Sequence, residues 1–419
     1  MEGARAAASE LPLLVVAALL LATGVDVLPP GALVSVGPVE LTLSRLLILA
    51  GLAALLYAHG PRRELYATGL AIPLALLLLG GLIATIKWGG EPRYRFLLEA
   101  VALFYLAVAA IRARPEARST LTVVALVAVA LSALGGVAQV AQDEATGFYR
   151  DGCRPVTATP PAEPPAGSVT RAVGSFANPN VLAGHVLLLL PLAAAGIAGL
   201  AGGWQLRRAL SVVLGLAALG LVLTFSRSGV LLGVGGLIAA LATSGVAYRG
   251  HLIVASVVLA AVAFGIFGSC GSEGAAGYGR TQQWKETISV IGDNPVYGVG
   301  LGRVGDVLRE RDARHSARHA HNLLLNWWAE AGPLALLAWI WLFAVLVWRS
   351  LRGALAGDTV ARGAMAALGC FAAYSMLDHP ANVDRVAMAL WVTMALAATL
   401  PRAPLRRRAA GAAPEAARA

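Results

Sequence analysis

The segment Arg314–Asn322 reads RHSARHAHN and places three of the chain's seven histidines, His315, His319 and His321, within seven residues. A neutral imidazole titrates close to physiological pH, so it can take a proton from a hydroxyl group. His321 is the candidate general base, and His319, Asn322 and Glu330 are candidates to orient it or to bind substrate hydroxyls. A metal centre is the competing chemistry, because His315 and His319 stand four apart. Neither a cysteine pair nor an HExxH pattern lies nearby, so the expectation is that no metal takes part and that no cofactor is needed.

Three more polar patches interrupt otherwise apolar sequence. RAVGSFANPN, residues 171–180, offers Arg171, with Asn180 as a helix cap beside Pro179. TFSRSG, residues 224–229, offers Arg227. Its guanidinium either snorkels to lipid headgroups or clamps a phosphate through its planar fork. The third patch puts Arg280, Trp284 and Lys285 at the start of TQQWKETISVI, where Trp284, Ile288 and Ile291 have the spacing of an amphipathic interfacial helix.

The elements that must position these groups are transmembrane helices. The chain of 419 residues is 58% hydrophobic and 13% charged, which excludes a soluble globular protein. About twelve spans are predicted, near 11–28, 42–59, 66–86, 96–111, 120–140, 181–202, 209–225, 229–247, 251–268, 333–348, 360–377 and 384–400. Arg62, Arg63, Arg112, Arg114, Arg118, Arg207, Arg208, Arg249, Arg349, Arg352 and Arg362 then fall in short loops on one side. That side is cytoplasmic by the positive-inside rule, as is the basic tail 401–419.

Topology alone thus explains about half of the basic residues, and the net charge of +10 gives no reason to expect nucleic acid. The remaining basic residues, among them Lys87, Arg93, Arg95, Arg150, Arg171 and Arg280, make the outer face cationic and suit an anionic substrate such as a lipid pyrophosphate. One membrane domain, 1–419, accounts for the whole chain, with two long outer loops. Residues 141–178 contain the Pro-rich TATPPAEPPAG, and residues 269–332 carry the histidine segment. Cys153 and Cys270 lie in these two loops, where an oxidising compartment permits a disulfide.

In this order the four patches resemble the O-antigen ligase family of bacterial envelope glycosyltransferases, which includes polysaccharide polymerases and protein O-oligosaccharyltransferases. His321-Asn322, the nine residues LLLNWWAEA and Gly332 follow the family's spacing, with Ala335 at a position usually held by Gly, Thr or Tyr. GSFANPNVLAGH and LTFSRSG also look like family signatures. The resemblance implies a GT-C-like, metal-independent, inverting transferase in the bacterial inner membrane with its site facing the periplasm. It implies an undecaprenyl-pyrophosphate-linked glycan as donor and lipid A core, another glycan or protein as acceptor. His321 falls on the catalytic base, Arg171 and Arg280 on pyrophosphate-binding positions, with Arg227 a third and Lys87 a possible support. A secondary transporter is the alternative from another class, but transporters hold their ionisable residues near mid-membrane, whereas these gather at one face.

Overall fold

A computed structural model describes residues 2–27, 33–36, 39–151, 154–157, 166–199, 203–242, 276–311 and 319–400. The expected span at 251–268, the pair Cys153 and Cys270, His315 and the tail 401–419 lie outside the described residues.

Runs of Leu, Val and Ala without charge leave backbone amides no partner in lipid except the next helical turn. Helices accordingly occupy α1 (Glu2–Ala22), α2 (Leu43–His59), α3 (Arg63–Tyr66), α4 (Ala71–Trp88), α5 (Glu91–Ala113), α6 (Ala117–Ala141) and α7 (Pro179–Gly199). They continue through α8 (Trp204–Leu223), α9 (Arg227–Ala242), α10 (Ala276–Asp293), α11 (Val304–Arg311), α12 (Leu323–Leu355), α13 (Thr359–Ser375) and α14 (Asp384–Ala398). Among the described residues seven helices, α1, α4, α5, α6, α7, α8 and α12, are long and apolar enough to cross a membrane. The shorter apolar α2 and α9 also coincide with expected spans. This is a multi-pass, mainly helical membrane protein.

The bundle closes around α7, which packs against α6, α8, α9 and α13, while α12 lies on α4 and α13, and α14 on α5. Small residues set these approaches. A Cβ on Gly80 would stand 2.9 Å from that of Ala335, so the α4–α12 contact needs a small side chain on both helices.

The two ends of the bundle differ in charge chemistry. Arg112 at the end of α5 donates to the carbonyls of Glu64 and Ala67 at 2.9 and 3.1 Å, and Arg118 lies 3.6 Å from Asp358. Arg93 opens the same α5 helix, whose 23 residues rise about 34 Å, so it belongs to the opposite end. Strands β1 (Val34–Val36) and β2 (Val39–Leu41) pair antiparallel ahead of α2, and the Arg93 end carries strand β3 (Phe148–Asp151) between antiparallel partners β4 (Arg154–Thr157) and β5 (Val169–Thr170), together with α10, α11 and the histidine turn.

Helix α10 forms where the amphipathic pattern predicts one, but its buried face differs. Thr287, Val290 and Ile291 are buried, and Ile288 is 55% exposed. The helix turns this face onto Val299, Val304, Leu308, Ala320 and Ala329, a second small core beneath the histidine turn. Packing against α11 and α12 decided the face, which the Trp284/Ile288/Ile291 spacing alone could not.

Helix α12 bends at Gly332, whose φ of 75° and ψ of −178° belong to glycine alone, and Pro333 follows. A Cβ there would collide with the backbone carbonyl of Val296. Gly332→Ala should therefore lower stability by about 1–3 kcal/mol or more, read as a lower unfolding temperature in detergent. An unchanged unfolding temperature would contradict the packing of 296–300 against this bend.

Candidate active site

The histidine turn is held by the first turns of α12. Asn322 caps that helix, its side-chain oxygen accepting from the amides of Leu324 and Leu325 at 3.0 and 3.1 Å. Its amide nitrogen donates to the Met376 carbonyl at 3.1 Å. Asn322 thus joins α12 to the end of α13 and fixes the residue next to His321. Asn326 accepts from the Ala320 amide at 3.2 Å. Glu330 is 8% exposed, and its backbone carbonyl accepts from the Gly300 amide at 3.0 Å, so its turn of α12 anchors the 298–302 loop.

Between these anchors His321 adopts φ 49°, a left-handed conformation that costs a residue with a side chain about 1 kcal/mol or more. The turn aims its ring at Asp378, with His321 Nδ1 3.0 Å from Asp378 Oδ1. Asp378 follows α13 and is 6% exposed, and its carboxylate also accepts from the His379 amide at 2.7 Å. Burial alone would raise this carboxyl. The hydrogen bond and charge of His321 outweigh it and hold the group below the usual carboxylate range. An ionised carboxylate only accepts, so His321 Nδ1 donates and Nε2 is left as the basic nitrogen.

His319 stands edge-on to His321, with ring centroids 4.3 Å apart, and His379 lies 5.5 Å from His319. Burial, then the neighbouring His321, pushes His319 down to about 4. It is neutral at physiological pH and accepts the His321 amide at Nδ1, 3.2 Å away. Its visible task is to support the turn.

Arginines gather on the neighbouring outer elements. Arg171 leaves β5, its amide bonded to the Phe148 carbonyl at 2.9 Å and its Nε to the Thr224 carbonyl at 2.9 Å. Burial pushes its guanidinium down to about 10, with Arg280 and Arg150 adding to the shift, so it stays charged at neutral pH. Arg150 is lowered by burial and by Arg227. Arginines from β3, the end of β5, α9 and α10 are thus linked in series, Arg280 and Arg150 acting on Arg171 and Arg227 on Arg150. Three of them, Arg171, Arg227 and Arg280, are those singled out by sequence, and Arg150 is an addition.

Tyr374 of α13 ties these patches to the histidine turn. Its hydroxyl donates to the Asn180 carbonyl at 3.0 Å and meets Ser226 Oγ at 3.2 Å. Its ring belongs to the helix that ends just before Asp378. Asn180 accepts from Arg171 at 3.5 Å, whereas the cap of α7 is Asn178, whose side chain accepts from the Asn180 amide at 2.8 Å. Pro179 occupies the first helical position, so the cap lies two residues earlier than expected. Lys87 is elsewhere, with its ammonium 4.1 Å from the Tyr297 ring centroid.

His319 and His321 face a cavity of about 1140 Å³ that also meets Gln283 on α10 and the 173–178 strip. Arg171 and Arg280 are not in its lining; they stand next to the elements that form its wall. Its lining arginines are matched by acids: Arg93 with Asp384 at 2.7 Å, Arg385 with Asp26 at 3.8 Å, and Arg309 with Asp306. Arg385 also stacks on Phe176, 4.5 Å from the ring centroid, and donates to Ser175. A cavity with neutralised charge beside a concentrated cationic cluster suits a ligand with a neutral polar body and an anionic group.

Residues 210–340 match the family model described as O-antigen ligase. No curated protein matches the chain. The matched stretch contains Arg227, Arg280, His319, His321, Asn322 and Glu330, and stops before Asp378. It supports a glycosyltransferase-type enzyme of the ligase and polymerase kind that handles glycan and lipid-linked substrates.

If Asp378 fixes the tautomer of His321, Asp378→Asn should lower turnover about a hundredfold or more while leaving the fold intact. Because the carboxyl is depressed in the folded protein, its contribution to stability is full above the unfolded value of about 3.9 and is lost as pH falls through the folded value. The stability gap between wild type and variant should therefore close in acid below about pH 4. Wild-type turnover in the variant would show that the pair has no catalytic part.

Proposed function

With an O-antigen ligase domain over residues 210–340 as premise, we propose that this protein transfers a polysaccharide from undecaprenyl pyrophosphate to a hydroxyl of lipid A core at the periplasmic face of the bacterial inner membrane. The observation that carries the reading is the His321–Asp378 pair, 3.0 Å apart, with His321 lining a cavity whose wall segments 173–178 and α10 adjoin Arg171 and Arg280.

His321 Nε2 takes the proton of the acceptor hydroxyl as its oxygen bonds to the anomeric carbon of the donor sugar. The bond from that carbon to the pyrophosphate oxygen breaks on the opposite face, so configuration inverts. Asp378 stabilises the imidazolium that forms, as a buried carboxylate does for a histidine base. Arg171 and Arg280 bind the pyrophosphate and stabilise the charge that grows on its leaving oxygen, with Arg227 and Arg150 adding to the field. Pyrophosphate is already a good leaving group, so preorganised guanidinium groups suffice and the reaction needs neither metal nor cofactor. Glycan polymerisation by the same site would need only a different acceptor hydroxyl.

His321→Ala should reduce transfer by about 10²–10⁴ while the protein still binds lipid-linked donor. Arg171→Lys and Arg280→Lys, which keep charge but lose the fork, should each reduce it by about 10². Transfer by purified protein in chelator should match the untreated rate. Full turnover in His321→Ala, or activity abolished by chelator and restored by a divalent ion, would overturn the proposal.

A further inference from the structure

His319, His321 and Asp378 have a second capacity. Each offers one ligand atom, and the three atoms all lie within 4.8 Å of one another. The His321 Nδ1 to Asp378 Oδ1 separation of 3.0 Å is close to that between two ligands sharing one ion at bonds of about 2.0–2.1 Å. Two imidazoles and one carboxylate with further positions open to water form a donor set for zinc and neighbouring first-row divalent ions. The histidine turn and Asp378 are both fixed from outside the set, by the Asn322 cap and by the His379 amide on Asp378. A third imidazole, His379, packs against His319 with ring centroids 5.5 Å apart.

The surroundings permit a cation. The charged groups lining the adjoining cavity are Arg93, Arg309 and Arg385 against Asp26 and Asp306, and Arg93 is further matched by Asp384. Asp378 is the carboxylate at the ligand set itself.

We propose that His319, His321 and Asp378 form an inhibitory site for a divalent transition-metal ion of the zinc class. The ion takes the Nδ1 lone pair of His321 and an oxygen of Asp378. His321 stays neutral, and its proton passes from Nδ1 to Nε2, the nitrogen that would otherwise accept the proton of an incoming hydroxyl. The ion therefore closes the base without occupying the substrate cavity. Binding stands on the geometry alone, while inhibition rests on the transferase reading of His321.

The test uses full-length protein, free of any polyhistidine tag, in lipid nanodiscs. Titration with Co²⁺ should give visible ligand-field absorption saturating at one ion per chain, and Zn²⁺ should bleach it. Asp378→Asn and His319→Gln should each raise the apparent dissociation constant about tenfold or more. X-ray absorption on Co²⁺-loaded wild type should count two imidazoles, a readout that survives if either variant folds poorly. Absence of a saturable band, a band unchanged in both folded variants, or no imidazole scattering would overturn the site. Zn²⁺ should also stop glycan transfer, and chelator should restore it. Zn²⁺ bound at one equivalent with undiminished transfer would overturn the inhibitory role and count against His321 as base, while leaving the ion site standing.

Discussion

The site depends on one strained turn. His321 sits at φ 49° because Ala320 on one side is bonded to Asn326 and Asn322 on the other begins α12. Neither neighbour can relax without uncapping a membrane helix. Helix α12 is itself held by the bend at Gly332 and by the close approach of Ala335 to Gly80 on α4. Strain at the base is thus sustained by helix packing several turns away, which is how a costly backbone conformation persists at a working residue.

Charge is arranged around that turn in two ways. In the cavity, arginines lie beside acids, so the lining is polar with little net charge. Next to the 173–178 strip, Arg171 lies within the fields of Arg280 on α10 and Arg150 on β3, and Arg150 within that of Arg227 on α9. Tyr374 joins the two regions, bonding the segments at Asn180 and Ser226 from the helix that ends at the Asp378 turn. A lipid pyrophosphate bearing a glycan has a similar division, with its charge confined to the pyrophosphate that joins lipid to sugar.

Much of this was legible in sequence, and the rest was not for physical reasons. Apolar run length gave the helices because lipid leaves the backbone few alternatives. His321 and the arginines stood out because each interrupts apolar sequence. Asp378 carried little signal: it lies 57 residues from His321, and the apolar run before it gives no hint that its turn meets another loop. Tyr374 read as one more residue of a span. Asn322 stood out as polar, but its task of capping α12 and reaching the Met376 carbonyl depends on how α12 meets α13, which is not written in local sequence. Which face of α10 packs inside the protein, Thr287, Val290 and Ile291, is set by α11 and α12, so periodicity alone does not state it.

The central claim is that the pyrophosphate of a bound donor lies against Arg171 and Arg280 while its first sugar faces His321. A structure of the inactive His321→Gln protein with a short-chain lipid pyrophosphate sugar tests it most directly. The account predicts the pyrophosphate oxygens within hydrogen-bonding reach of Arg171 and Arg280, and the anomeric carbon on the side of residue 321. A pyrophosphate bound by Arg93, Arg309 or Arg385 in the cavity, with Arg171 and Arg280 uninvolved, would contradict it.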